Sequence, residues 1–124
     1  MRTLLIVEDD PPTARGMARH FTQIGYEVSV APTCATALAT AGTYDVGVFD
    51  LLLPDGDGVD VADALLKRGV VSTAVFYSGT TDERLFVGRG THFVSKTDGL
   101  SALAEVVERE AGRLDRVVAQ QRVR

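Results

Sequence analysis

The chain has 124 residues, of which 45% are hydrophobic and 24% are charged, and its formal net charge is −4 at pH 7. This length fits a single domain, and the composition disfavours a disordered, a collagen-like or a membrane-embedded protein. Because the charge balance is acidic, we expect no direct contact with nucleic acid and no attachment to an anionic membrane surface.

The first half of the chain alternates apolar runs with segments of helical periodicity. Thr3–Val7 is an uninterrupted apolar run, typical of a strand buried on both faces of a parallel sheet. A helix follows it, in which Met17, Phe21 and Ile24 mark one apolar face. The next predicted elements are a strand at Glu27–Ala31, a helix over about residues 33–41 and a strand at Asp45–Asp50.

The second half continues this alternation. After the turn-rich segment Pro54–Gly58 comes a helix with Val61 and Leu65 on its apolar face. The remaining predicted elements are a strand at Thr73–Tyr77, a short helix over residues 81–87, a strand at Thr91–Ser95 and a long helix from about Asp98. Five strands that alternate with five helices predict an α/β fold, a five-stranded parallel sheet with helices on both faces.

The content of cysteine and histidine restricts the metal chemistry. Cys34 is the only cysteine, and His20 and His92 are the only histidines, which excludes an intrachain disulfide and disfavours a zinc site. Oxygen atoms should therefore hold any metal. The apolar start is too short for a signal peptide, and no apolar run is as long as a membrane span, so we expect a cytoplasmic protein.

Polar residues follow four of the predicted strands, where the ligand crevice of such a fold lies. The strand ends carry Glu8, Asp9 and Asp10, then Asp50, then Ser78, and finally Lys96. Several carboxylates at close quarters repel one another unless a cation neutralises them or one of them keeps a proton. An oxygen-only ligand set favours Mg²⁺, which commonly binds carboxylates together with a phosphate group.

The same residues indicate a phosphoryl-transfer site. An ammonium group and a hydroxyl, here from Lys96 and Ser78, are donors that phosphoryl oxygens need. Asp50 stands alone after a central strand and can accept a phosphoryl group as a carboxylate. Glu8 and Asp9 are better placed as metal ligands.

These residues lie in four blocks that resemble the receiver domain of response regulators in two-component signalling, a CheY-like family. The blocks cover nearly the whole chain in order, and they are Leu5–Pro11, Val48–Gly58, Phe76–Gly79 and Phe93–Lys96. The resemblance implies a (βα)5 fold with strand order 2-1-3-4-5. It also implies a phosphorylation-activated switch that takes its phosphoryl group from a sensor histidine kinase or a histidine phosphotransfer protein.

The resemblance implies a role for each residue of the site. Asp50 would be the phosphoacceptor, and Glu8, Asp9, Asp50 and the backbone carbonyl of Leu52 would bind Mg²⁺. Ser78 and Lys96 would contact the phosphoryl group, and Phe93 would be an aromatic switch. The new charge would then alter the face formed by the fourth helix, the fifth strand and the fifth helix.

The sequence departs from the family pattern near the carboxyl end of the site. Thr97 follows Lys96 where the family usually has proline, so the loop with the lysine should be less rigid. The stretch from Ser78 to Lys96 is about one helical turn shorter than usual, which predicts a short or irregular fourth helix. Gly79 adds backbone freedom beside the serine.

Other acidic residues have simpler interpretations. Asp10 supports the loop or caps the first helix, while Asp55 and Asp57 are turn or cap residues. We divide the chain into a receiver domain at 1–114 and an extension of the last helix at 115–124, which is a linker to an output domain or a contact in a homodimer.

Three alternatives remain at this point. The chain could be a degenerate receiver that acts by protein contact without phosphorylation. A Mg²⁺-dependent aspartyl phosphatase needs an acid two residues after the nucleophile, where this chain has Leu52. A flavodoxin-like cofactor module needs a phosphate-binding loop after the first strand, and that loop is acidic here. We therefore expect a phosphoacceptor that takes part in its own phosphorylation, and not a turnover enzyme.

Overall fold

The computed structural model describes residues 1–79 and 91–123. In chain order its elements are β1 (Thr3–Val7), α1 (Pro11–Gln23), β2 (Glu27–Ala31), α2 (Cys34–Leu38), β3 (Tyr44–Phe49), β4 (Leu52–Leu53), β5 (Gly56–Asp57), α3 (Gly58–Lys67), β6 (Val71–Ser78), β7 (Thr91–Ser95) and α4 (Gly99–Val123). A 3-10 turn at Lys96–Asp98 joins β7 to α4. The short helix predicted over residues 81–87 lies outside the described residues.

Within the described residues, five strands form a parallel sheet in the order β2-β1-β3-β6-β7. β4 and β5 form a small antiparallel hairpin of their own. When the hairpin strands are left out of the count, the order is 2-1-3-4-5, as predicted. β3 therefore lies in the centre of the sheet, and Asp50 follows its last residue.

Side chains of the central strands alternate between two hydrophobic clusters, because successive residues of a strand point to opposite faces. Leu5 and Val7 of β1 belong to the cluster that α2 and α3 cover. Leu4 and Ile6 belong to the cluster that α1 and α4 cover. Helices thus lie on both faces, and the predicted fold class is confirmed.

Four element boundaries differ from the sequence prediction. β6 runs from Val71 to Ser78 and is therefore longer than the predicted strand Thr73–Tyr77. Ile24 is not part of the buried face of α1, because it is the C-cap residue and is 44% exposed. α2 ends at Leu38 and not near residue 41, and the Thr40 hydroxyl donates to the Thr36 carbonyl at 3.0 Å at this end. β3 begins at Tyr44 and stops one residue earlier than predicted.

The last helix, α4, packs on the sheet through only part of its length. Leu103, Val107 and Ala111 are buried, whereas Val117 and Val118 are 39% and 46% exposed. Apolar side chains therefore continue along this helix beyond the part that the core covers. Among the described residues no helix has the length and hydrophobicity needed to cross a membrane.

Candidate phosphoacceptor site

The site is built around Asp50, at the carboxyl end of the central strand β3. The Asp50 side chain is buried, and its backbone N–H donates to the Val7 carbonyl at 3.0 Å. β1 and β3 pair in register up to Val7 and Phe49. The parallel pairing thus brings the residues after both strands to the same edge of the sheet.

Hydrogen-bond donors surround the Asp50 carboxylate. The Ser78 hydroxyl donates to Oδ1 at 2.8 Å, and the Leu52 backbone N–H donates to the same oxygen at 3.3 Å. The Lys96 ammonium donates to Oδ2 at 3.0 Å. Ser78 is the last residue of β6 and Lys96 follows β7, so the sheet itself places both donors.

Two more carboxylates lie beside Asp50. Glu8 is 2% exposed, its Oε1 lies 2.8 Å from Lys96 Nζ, and its Oε2 accepts the Asp10 backbone N–H at 3.1 Å. Asp9 is exposed. One carboxylate oxygen from each of Glu8, Asp9 and Asp50 lies within 4.8 Å of the others, so the predicted convergence is present in the structure.

The electrostatics of the site differ from one carboxylate to the next. Burial raises the pKa of Glu8 above its usual value, and the Lys96 ammonium only partly opposes this. Burial also raises the pKa of Asp50, but the hydrogen bonds from Lys96 and Ser78 outweigh it and the net pKa is lowered. The pKa of Lys96 is lowered by burial but raised overall by Glu8 and Asp50. The lysine is therefore charged, and Asp50 is ionised at neutral pH.

The donor set fits a hard divalent cation. Three carboxylate oxygens within 4.8 Å of one another suit an ion that prefers oxygen ligands, such as Mg²⁺. Glu8 Oε1 is buried and accepts no hydrogen bond of regular geometry from the described residues, although Lys96 lies at 2.8 Å. This buried oxygen keeps a lone pair for a cation.

The remaining predicted residues occupy other positions. Asp10 caps α1, and its side chain accepts from the backbone N–H and the hydroxyl of Thr13. Phe93 is half-buried and packs against the cluster that contains Phe76, its neighbour in β6. The Leu52 side chain is 69% exposed beside the site.

Acidic residues of the turn segment also act as caps. Asp57 caps α3 by accepting the Val59 N–H at 2.9 Å. Asp55 accepts the backbone N–H groups of Cys34 and Ala35 at 2.8 and 3.0 Å, so it caps a helix that precedes it in the chain. Both residues have the simpler roles that the sequence indicated.

A buried carboxylate outside the site was missed by the sequence analysis. Glu110 of α4 is 5% exposed, and its Oε1 accepts from Thr73 Oγ1 at 3.3 Å and Arg113 Nε at 3.1 Å. His92 Nε2 lies 3.1 Å from the same oxygen. The arginine three residues later was the local signal that a partner was present.

The comparison with protein families decides the class. Residues 4–108 match the family model of the response regulator receiver domain. The chain belongs to this family. Receiver domains are parts of two-component response regulators and not a classical enzyme family, and a phosphorylation switch fits the site described above.

Curated relatives agree with this assignment. The acid tolerance regulatory protein ActR of Rhizobium meliloti (strain 1021) is 30% identical over 121 residues, which cover 92% of this chain and 62% of that protein. The transcriptional regulatory protein KdpE of Mycobacterium tuberculosis (strain ATCC 25618 / H37Rv) is 36% identical over 84 residues, which cover 66% of this chain and 37% of that protein. The chain thus spans less than two thirds of the length of both relatives.

Solved structures show the same fold. A CheY-like response regulator receiver domain protein from Methanospirillum hungatei JF-1 has a TM-score of 0.84 at 22% identity, covering 94% of this chain and 98% of its own. The response regulator TrrA from Thermotoga maritima, in complex with Mg²⁺-BeF, has a TM-score of 0.78 at 22% identity, covering 89% and 99%.

Proposed function

We propose that the chain is a phosphorylation-activated switch in which Asp50 accepts a phosphoryl group from a phosphohistidine. The donor would be a sensor histidine kinase or a histidine phosphotransfer protein. The proposal depends on one observation. The buried Asp50 carboxylate accepts hydrogen bonds from Ser78 and Lys96 and has two acidic neighbours. This is the arrangement that phosphoryl transfer to a carboxylate requires.

The transfer is a substitution at phosphorus. A carboxylate oxygen of Asp50 forms the new O–P bond while the P–N bond of the phosphohistidine breaks. The electron pair of that bond stays on the imidazole nitrogen. The lowered pKa of Asp50 supports this step, because it keeps the attacking carboxylate ionised without a separate base.

The residues that would hold Mg²⁺ are Glu8, Asp9, Asp50 and the backbone carbonyl of Leu52. When bound, the ion would neutralise charge on the phosphoryl oxygens and on the carboxylates. The ammonium of Lys96, which now bridges Glu8 and Asp50 at 2.8 and 3.0 Å, would turn toward a phosphoryl oxygen. Asp10 would support the loop only as the cap of α1.

The phosphoryl group would act as a switch because it adds negative charge next to two donors that belong to different strands. Ser78 and Lys96 would move toward it, and Phe93 of β7 would follow. The affected face includes β7 and α4. The fourth helix of the prediction lies outside the described residues.

We further propose that residues 1–114 form the receiver and that 115–124 connect it to an output domain or to a second copy of the chain. The length of the relatives supports a linker, and exposed Val117 and Val118 support a contact. Membership of the receiver family supports two further proposals, a histidine kinase as partner and a cytoplasmic location.

Mass spectrometry after incubation with acetyl phosphate and Mg²⁺ tests the proposal. The chain should gain the mass of one phosphoryl group, and Asp50→Asn should gain none. Asp63→Asn, which changes an exposed aspartate of α3, is the matched control and should behave as the unsubstituted chain. A chelator should abolish the gain.

Three results would overturn the proposal. Absence of any gain in the unsubstituted chain would leave a degenerate receiver that acts by protein contact. A gain that persists in Asp50→Asn would place the phosphoacceptor elsewhere. Steady hydrolysis of a simple phosphate ester would instead indicate an aspartyl phosphatase.

A further inference from the structure

Gly58, the first residue of α3, lies against the backbone of the phosphoacceptor. A Cβ atom built on Gly58 would lie 1.8 Å from the Asp50 carbonyl oxygen, 2.8 Å from the Asp50 carbonyl carbon and 3.1 Å from Leu51 Cα. All three atoms belong to the main chain, so no flexible side chain can move aside. The φ of Gly58 is not positive, and the requirement is therefore one of space and not of backbone conformation.

Gly58 also closes the loop that follows Asp50. Its backbone N–H donates to the Leu51 carbonyl at 2.9 Å, and β4 and β5 pair within the loop. On the other side, the Asp50 N–H donates to the Val7 carbonyl at 3.0 Å. The Asp50 peptide is thus held between β1 and the start of α3, and the Leu52 carbonyl lies in the closed loop.

We infer that Gly58 is a positioning residue for the phosphoacceptor. Because it has no side chain, the start of α3 can lie against the Asp50 peptide, and this close approach sets the positions of the Asp50 carboxylate and the Leu52 carbonyl. Any side chain at position 58 would displace the Asp50 peptide or the start of α3 by roughly 1 Å, and displacements of that size cost up to about 100-fold in rate. The Ser78 and Lys96 contacts at 2.8 and 3.0 Å would be lost or lengthened. This inference rests on the proposed function of Asp50.

Substitution of three glycines separates positioning from stability. Gly58→Ala should slow phosphorylation of Asp50 by acetyl phosphate about 10- to 100-fold and weaken Mg²⁺ binding measured by calorimetry. Gly47→Ala crowds the core instead, since its Cβ would lie 2.6 Å from the Phe49 ring and 3.0 Å from Val71. Gly47→Ala should lower the melting temperature, but in the folded protein the rate of phosphorylation and the affinity for Mg²⁺ should stay close to those of the unsubstituted chain.

Gly16→Ala is the neutral control and also a stabilising background. Gly16 is exposed in α1, and a Cβ there would meet none of the described atoms within 4 Å. Alanine should stabilise this helical position. If Gly58→Ala alone does not fold, the double variant with Gly16→Ala is used for the same measurements.

A measurement on the unsubstituted chain does not depend on folding of a variant. In a Mg²⁺ titration followed by NMR, the amide signal of Gly58 should move with the same half-saturating concentration as that of Leu52, whereas the amide of Gly16 should not move. A Gly58 signal that stays fixed would overturn the inference.

The outcomes also distinguish this inference from the proposed function. If the unsubstituted chain is not phosphorylated, the proposed function itself fails. If it is phosphorylated and Gly58→Ala reacts at the same rate, only the inference on Gly58 fails. Equal slowing by Gly58→Ala and Gly47→Ala would also overturn it, because crowding of the core would then explain the effect.

Discussion

Replacement of Lys96 by methionine should destabilise the chain at neutral pH in the absence of Mg²⁺. The lysine lies 2.8 Å from Glu8 and 3.0 Å from Asp50, and both carboxylates are buried. Methionine keeps an unbranched apolar chain but removes the charge. The two carboxylates would then face each other without a counter-charge.

The structure sets the size of the effect. Removal of one partner from a buried ion pair costs about 3–5 kcal/mol. The Lys96 side chain is 28% exposed, so solvent screens part of the interaction, and we expect a loss of about 3 kcal/mol. For a chain of this length that corresponds to a fall in melting temperature of roughly 10 °C.

The sign of the pH dependence follows from the two carboxylates. Without the ammonium, the pKa of Asp50 should rise from its lowered value and the pKa of Glu8 should rise further. A group with a raised folded-state pKa loses stabilising free energy as the pH rises through that value. The deficit of Lys96→Met should therefore be largest at pH 7 and shrink toward about pH 4, where the carboxyl groups are protonated in the variant.

Urea denaturation followed by circular dichroism, at both pH values and with or without Mg²⁺, measures the free energy of unfolding directly. Mg²⁺ should narrow the deficit because it binds the folded state and supplies the missing charge. Lys67→Met is the matched control, since Lys67 is the chain's only other lysine and is exposed at the end of α3. A deficit that is absent, or equal at both pH values, would refute the reasoning.

Three further predictions concern single contacts and the last helix. Ser78→Ala should lower the free energy of unfolding, measured by urea denaturation, by about 1–2 kcal/mol, because it removes a hydrogen-bond donor from the buried Asp50 carboxylate. An equal loss in Ser72→Ala, at an exposed serine, would contradict this. Glu110→Gln should lower the free energy of unfolding by about 1–3 kcal/mol at pH 7. Because the pKa of Glu110 is lowered in the folded state, this loss should fade as the pH falls through that pKa. Glu105→Gln is the control at an exposed glutamate. Removal of residues 115–124 should leave a folded, phosphorylatable monomer, and light scattering that finds a monomer with and without them would exclude the dimer contact.

Much of the fold could be predicted because apolar runs alternate with segments of helical periodicity along the chain. The strands Thr3–Val7, Glu27–Ala31 and Thr91–Ser95 were predicted with their observed bounds. Parallel strands bring their carboxyl ends to one edge, so the convergence of Asp50 with the residues that follow the other strands required no long-range information. Two roles were predicted for Asp10, support of the loop or a cap on the first helix, and the cap is a local contact because its partner Thr13 is three residues away.

The features that were missed depend on contacts between distant parts of the chain. Asp55 was predicted as a turn or cap residue, but its partner was missed, because it caps α2 from a position about 20 residues later and no local pattern indicates such a pairing. Glu110 is buried because His92 and Thr73 of other elements reach it. The closeness of Gly58 to the Asp50 carbonyl likewise follows from how the loop closes, and not from the turn residues themselves.

The attachment of α4 has a consequence for how the chain responds to salt. Its inner part is held by buried Leu103 and Val107, whereas Arg2 bridges Glu108 and Asp115 at the surface at 2.8 and 2.9 Å. Such exposed ion pairs contribute little and are screened as ionic strength rises. An increase in ionic strength should therefore weaken the contacts between Arg2 and α4, while the buried residues Leu103 and Val107 keep the inner part of the helix in place. A partner that binds α4 near Asp115 would therefore meet a surface whose contact with Arg2 weakens as the salt concentration rises.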